Sequence, residues 1–159
     1  MTDSSSRPHF VYVLALLFTP DRGRVVLIRK TRPAWQAGRV NALGGKLLPG
    51  ESAAAAARRE VREEAGVDVP EESWLEFLVW HDPVYRMHVL AACHEAAERA
   101  RTAEDEEVFL ASADELPAEA VDNLRWLIPL ALDREVAFPI VVRSASPEGS
   151  GLTEPPPAQ

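Results

Sequence analysis

Gly45-Lys-Leu-Leu-Pro-Gly-Glu51-Ser-Ala-Ala-Ala-Ala-Ala-Arg-Arg59-Glu60-Val61-Arg62-Glu63-Glu64-Ala65-Gly66-Val67 carries more information than any other part of the chain. Ser52 is a good N-cap, the alanine run has high helix propensity, and Gly66 is a suitable stop, so a helix is predicted from Ala53 to about Ala65. At 100° per residue Glu60, Glu63 and Glu64 fall on one face of one turn, where like charges repel and lower helix stability. Ala54, Ala57, Val61 and Ala65 form an apolar stripe suited to packing on a sheet. A helix anchored on one face and concentrating carboxylates on another suits a hard divalent cation bound by oxygen. Arg59 is placed to fold back on Glu51 and tie the preceding loop to the helix. Gly44 and Gly45 permit a backbone path that a side chain would block, and Gly50 turns the chain ahead of Ser52.

Outward from this helix the chain alternates strand-like and helix-like segments. Phe10 to Phe18 and Arg24 to Ile28 read as a hairpin around the turn signal Pro20, Asp21 and Gly23. Lys30 to Gly45, with Pro33, Gly38, Gly44 and Gly45, reads as a loop holding at most one short strand. Leu75 to Trp80 and Arg86 to Cys93 read as strands turned at Asp82 and Pro83, with Phe109 to Ala111 a weaker strand. Leu124, Leu127, Ile128, Ala131 and Leu132 recur at helical spacing. Proline is tolerated in a first turn, so Pro129 sets the expected start of that second helix near Trp126. Ala137 to Val142 is a candidate last strand. Strands and two helices in this order imply an α+β fold, an α/β/α sandwich.

With 159 residues the chain fits one domain, and 47% hydrophobic and 26% charged residues are ordinary for a globular protein. Residues 9–143 form the expected domain. Residues 1–8, polar and Ser-rich, and the Pro-rich 144–159 are expected to be disordered. No apolar run is long enough to cross a bilayer and no secretory leader is recognisable, so no membrane partner is expected. The single cysteine, Cys93, forms no internal disulfide and agrees with a cytoplasmic setting; its apolar neighbours predict a small buried core residue. The net charge of −8 argues against polymeric nucleic acid as a partner. It does not exclude a phosphorylated small molecule, because divalent metal bridges carboxylates to polyphosphate.

The quoted stretch resembles the Nudix box: Gly, five residues, Glu, seven residues, Arg-Glu, an aliphatic, one residue, Glu-Glu, one residue, Gly, an aliphatic. Every fixed position is matched, including Val61 and Val67, and such a match arises by chance at below about 10⁻⁷ per starting position. The resemblance covers roughly residues 10 to 143 and implies the Nudix sandwich, with a mixed sheet between helices. It implies hydrolysis of a diphosphate linkage with Mg²⁺ or Mn²⁺ as cofactor. Glu51, Arg59, Glu60, Glu63 and Glu64 would carry catalysis, and Glu60, Glu63 and Glu64 would bind metal with the carbonyl of Gly45. The general base, a box glutamate or a carboxylate from a later loop, stays open. A further ligand is expected from the acidic run Glu104 to Glu107, Glu104 first by its distance ahead of the next strand and Glu107 second.

Within the family, Arg24 to Lys46 and Asp122 to Trp126 are similar to the branch that hydrolyses nucleoside triphosphates, including oxidised purines. That similarity makes Asn41 and Asn123 candidate purine contacts, since an amide offers both donor and acceptor to a base edge. For Asn123 a helix cap is the competing role. Arg29, Lys30 and Lys46 are candidate phosphate contacts, and Trp35, Tyr85 and Trp126 are candidates to stack on a base or to serve as core or rim. The preferred substrate is a small nucleotide, a nucleoside triphosphate cut to monophosphate and pyrophosphate. ADP-ribose, a nucleotide sugar or a dinucleotide is the alternative. A non-catalytic nucleotide sensor has no need of a complete acidic face. The sequence leaves the oligomeric state open, a homodimer included.

Overall fold

The computed structural model describes residue 8 and residues 10–144, so the expectations for the two ends fall almost wholly outside the described residues. Seven strands form one sheet: β1 Phe10–Phe18, β2 Arg24–Arg29, β3 Val40–Lys46, β4 Leu75–His81, β5 Tyr85–Cys93, β6 Val108–Ser112 and β7 Ile140–Arg143. Their order is β6-β2-β3-β1-β5-β4-β7. β1 runs parallel to β5 and β4 parallel to β7, while the other pairs are antiparallel, so the sheet is mixed. Helix α1, Ala53–Ala65, covers one face and α2, Leu124–Leu132, the other.

The continuous apolar run of β1 follows from this layering, because a central strand must be apolar on both sides. Val13, Ala15 and Leu17 pack with Ala56, Ala57, Val61 and Ala65 of α1. Leu14, Leu16 and Phe18 pack with Leu124, Leu127 and Ile128 of α2. Val61 is completely buried, and a side chain of that size contributes roughly 1.5–3 kcal/mol. The expected stripe is corrected at one position: Ala56 is buried, whereas Ala54 only flanks the core.

Four other expectations are corrected. β1 and β2 do not make an extended hairpin: they meet only at Phe18 and Val25, and β3 then runs between them. The glycine-rich segment, read as loop with at most one short strand, ends in the seven-residue β3. Gly44 lies opposite Leu14 of β1 with φ +155°, and a Cβ there would collide with the Val13 carbonyl. Glycine is what lets β3 approach β1, so a turn signal becomes a strand. α2 starts at Leu124, two residues before the expected start, and keeps Pro129 inside it. Pro129 and Arg125 are both exposed, so water can satisfy the carbonyl that loses its donor. Cys93 is exposed at the end of β5 rather than buried.

Candidate active site

α1 is fixed at both ends. Ser52 Oγ accepts from the Ala55 N–H at 3.0 Å, and Gly66 closes the helix in the left-handed conformation with its N–H on the Arg62 carbonyl. Arg59 then ties the loop before α1 to the helix. Its Nε and Nη2 donate to the two oxygens of Glu51 at 2.8 and 3.0 Å, and Nη2 also donates to the Lys46 carbonyl at 3.0 Å. Glu51 in turn accepts from the Leu48 N–H at 2.9 Å. The Arg59 hydrogen bond holds the Glu51 carboxyl below its ordinary range. The expected Glu51–Arg59 tie is therefore present as a bidentate pair.

The three helix carboxylates are not equivalent. The Glu63 side chain is 48% exposed, Glu60 13%, and Glu64 is a buried residue. On the helical wheel Glu64 stands only about 20° from Ala57, so it faces the sheet and not the solvent. It accepts from the Gly44 N–H at 2.9 Å, and burial pushes its pKa up to about 8. Burial also raises Glu60, with Glu63 and Glu104 adding to the effect although Arg59 Nη1 donates to it at 2.8 Å. A Cβ on Gly45 would come within 2.6 Å of the Glu60 carboxyl carbon, so β3 must carry glycine where Glu60 lies over it. Among the described residues no three acidic, His or Cys side chains are gathered closely enough to hold an ion as they stand. The donor chemistry nonetheless fits a hard cation: the groups are all carboxylate oxygen, and two of them are buried where negative charge is disfavoured.

The acidic run is sorted by its ion pairs. Glu107 pairs with Arg29 at 3.4 Å, Glu106 with Lys30 at 2.8 Å and Asp105 with Arg32 at 2.9 Å. Glu106 is buried and also accepts from the Thr31 N–H at 2.6 Å. Burial alone would raise its pKa, but Lys30 and Thr31 outweigh it and the carboxyl lies below its ordinary range. Glu104 alone in the run has no ion-pair partner among the described residues, and its charge is felt at Glu60.

Beside these carboxylates lies a cavity of about 480 Å³, lined both by Glu64 of α1 and by Asn123 ahead of α2. Gly44, Gly45 and Glu64 are among its lining. Phe10, Tyr12, Tyr85 and Met87 make an apolar wall, with Tyr12 packed edge-on to Tyr85 at 6.2 Å between centroids. Asn41 and Asn123 both line it. Asn41 Oδ1 accepts from the Ala42 N–H at 2.8 Å, and its Nδ2 donates to Gln36 at 3.4 Å. Asn123 occupies the N-cap position of α2 but has a helical backbone, φ −65° and ψ −25°, and makes no capping bond. Its Oδ1 is inaccessible and has no partner.

Of the other candidates, Lys30 and Trp35 line the cavity. Arg29 and Lys46 do not: Arg29 is held by Glu107, Glu119 and the Gly38 carbonyl, and Lys46 Nζ sits over the Phe10 ring at 5.0 Å. Asp122 is almost fully exposed, 3.7 Å from Arg39, and Trp126 packs on Trp80 instead of on the cavity. The sequence reading missed Phe10, Tyr12 and Met87, which count as core by composition, and Arg32 at the mouth. The available signal was the group of aromatics at the start of β1 and β5.

A model of the NUDIX domain matches residues 8–131 of the chain. Among solved structures, a MutT NUDIX hydrolase from Burkholderia pseudomallei superposes with a TM-score of 0.64 at 22% identity, covering 79% of this chain and 98% of that one. A MutT from the pair Aliivibrio salmonicida and Vibrio cholerae gives 0.60 at 18% identity, covering 78% and 97%. A MutT/nudix family protein from Enterococcus faecalis gives 0.57 at 18%, covering 70% of this chain and 46% of that one. At such identities the likeness bears on the fold. The family match spans most of the chain and contains the complete box, so this chain belongs to the Nudix family and is a Nudix hydrolase. No helix among the described residues is long and apolar enough to cross a membrane.

Proposed function

We propose that this chain hydrolyses a purine nucleoside triphosphate to the monophosphate and pyrophosphate, with Mg²⁺ or Mn²⁺ held by Glu60, Glu63 and Glu64. The Gly45 carbonyl and Glu104 complete the proposed ligand set. The observation that carries the substrate class is Asn123: an amide oxygen, shut off from water and bonded to nothing, in the same cavity as Asn41 and the box glycines. A buried acceptor without a donor costs roughly 1–3 kcal/mol, and a small rotation of the Asn123 side chain toward the cavity would let an N–H donor of a purine edge relieve it. Asn41 offers a second amide across the cavity, and Tyr12, Tyr85 and Trp35 offer ring faces.

Bound divalent metal supplies charge neutralisation of the diphosphate and a lowered pKa for the attacking water. The chain's own residues do the positioning. Arg59 locks Glu51, the Lys46 carbonyl and Glu60 into one frame, so that the end of β3 carrying Gly45 cannot drift from the helix. The Gly44 N–H orients Glu64 at the cavity wall. Glu106 restrains Lys30 at the cavity wall, leaving the ammonium directed but partly neutralised. Water attacks phosphorus, the phosphoanhydride bond breaks, and pyrophosphate leaves. A cytoplasmic setting is part of the proposal, since a lone exposed thiol suits a reducing compartment.

The test is a hydrolysis panel of purine and pyrimidine triphosphates, oxidised purine triphosphates, ADP-ribose and a dinucleotide, with Mg²⁺ and after metal removal. Chromatography of the products should show monophosphate and pyrophosphate from purine triphosphates, only with metal. A preference for ADP-ribose over every triphosphate would reject the substrate class and leave the family standing.

A further inference from the structure

At the other end of β5 from Cys93 a second cavity, of about 410 Å³, opens around the turn from β4 into β5 and the last residues of β7. Its lining includes His81, Arg86 and Arg143, and it shares only Tyr85 with the nucleotide cavity. The three basic residues stand in a row by sheet register. His81 of β4 pairs with Arg86 of β5 on one side and with Arg143 of β7 on the other. Directly opposed residues point to the same face of a sheet, and like charges so placed destabilise it. The row sets two permanent cations either side of an imidazole, a place suited to an anion. None of the chain's described carboxylates supplies it, for neither Arg86 nor Arg143 has an ion pair or a side-chain hydrogen bond among the described residues. Asp82 lines the cavity, but its Oδ1 accepts from the Val84 N–H at 2.9 Å. Glu76 is paired with His88 at 2.6 Å.

Arg86 makes the case stronger. An exposed arginine without a partner is solvated, but the Nε of Arg86 is cut off from solvent and donates to nothing. With Nε covered by protein and no carboxylate paired with it among the described residues, the part of Arg86 that lines the cavity is left to bind an anion there.

We propose that this cavity binds an oxyanion, a phosphate group free or carried by a small molecule, between Arg86, His81 and Arg143. Donors converging from three adjacent strands call for at least three acceptor oxygens, which a phosphate has and a carboxylate has not. Guanidinium groups suit phosphate through paired N–H donors. His81 is the reporter. Burial lowers its pKa, and Arg86, Arg143 and His88 lower it further. Tyr85, Glu76 and Cys93 on the packed strands and Asp82 in the turn are the other titratable groups. An anion in the row reverses the repulsion, so His81 should take up a proton on binding.

The experiment uses the full chain, freed of metal, with inorganic phosphate as the probe and the imidazole signals of His81 and His94 followed by NMR. The expected result is a saturable change at His81 with a rise in its pKa, and none at His94, which caps the turn after β5. Arg143→Gln and Arg86→Gln should each weaken phosphate by about fivefold or more. Arg143 is outside the nucleotide cavity, so Arg143→Gln should hydrolyse triphosphate at the unaltered rate. Adenosine monophosphate separates the two sources: affinity equal to phosphate means that the phosphate alone is held, and higher affinity means that the nucleoside is held as well. No saturable change at His81, an equal change at His94, or unaltered affinity in Arg143→Gln would overturn the site. Loss of hydrolysis in that variant would overturn its separateness from the nucleotide cavity.

Discussion

Ser52 stands ahead of α1 with an extended backbone, and its hydroxyl accepts from the third residue on. Asn123 stands ahead of α2 with a helical backbone, and its amide oxygen accepts from nothing. Serine and asparagine are equally good N-caps by propensity. The difference lies in what surrounds them. α1 is a polar helix of alanines and charges, and its start depends on the cap. α2 is held by Leu124, Leu127 and Ile128, all buried against the sheet, and the first turn is closed by the backbone bond from Leu127 N–H to the Asn123 carbonyl at 2.9 Å. A helix that packing already holds leaves its capping side chain spare, and here that side chain faces the cavity. On the proposed function the two helix starts divide the work: α1 would serve the chemistry and α2 the choice of base.

The division is open to test by substitution, because changes in α1 should lower turnover on every nucleotide alike, whereas changes at the start of α2 should reorder them. The largest effect is expected for Glu64→Gln, a fall in kcat of about a hundredfold or more on all substrates. The fold should survive. The amide that replaces the carboxylate keeps an acceptor for the Gly44 N–H, and a buried charge is removed. Without metal, Glu64 has its pKa raised from 4.5 to about 8. The unfolded chain therefore gives up that proton first, and stability falls as pH rises through that window. Melting temperatures of the metal-free protein should decline over that range, and Glu64→Gln should flatten the decline. Equal slopes in the two proteins would show that Glu64 is not the buried charge the structure makes it.

A smaller effect is expected for Arg59→Lys. One ammonium cannot hold both Glu51 oxygens and the Lys46 carbonyl together. The variant should lose about 1–2 kcal/mol of stability and about tenfold in kcat, with the ranking of substrates unchanged. Denaturant melts and a nucleotide panel measure both, and a changed ranking would mean that α1 also takes part in reading the base.

The central helix was legible in the sequence because cap, stripe, stop and carboxylates occur at fixed spacings that only one local structure satisfies. β1, β4, β5 and β6 were legible as apolar runs. What was lost depended on partners distant in the chain. Gly44 reads as a turn residue until β1 lies against it, and Pro129 reads as a helix start until Leu124 is seen buried beneath the sheet. Glu64 reads as one of three exposed acids, yet it turns under the helix toward β3. The Lys30–Glu106 pair joins residues 76 apart, and no spacing rule reaches that far. Phe10 and Tyr12 sit in a run that is core over most of its length, and nothing in that run marks where core gives way to cavity wall.

The most direct measurement of the division pairs Asn123→Ala with Ser52→Ala, reading for each the kcat/KM of purine and pyrimidine triphosphates and a thermal melt. Ser52→Ala should lose about 1 kcal/mol of stability and keep the ranking. Asn123→Ala should keep its melting temperature and lose about fivefold or more of its preference for purines, the worth of roughly 1 kcal/mol in one hydrogen bond. An Asn123→Ala protein that melts earlier but ranks the nucleotides as before would make Asn123 an ordinary helix cap and contradict the account.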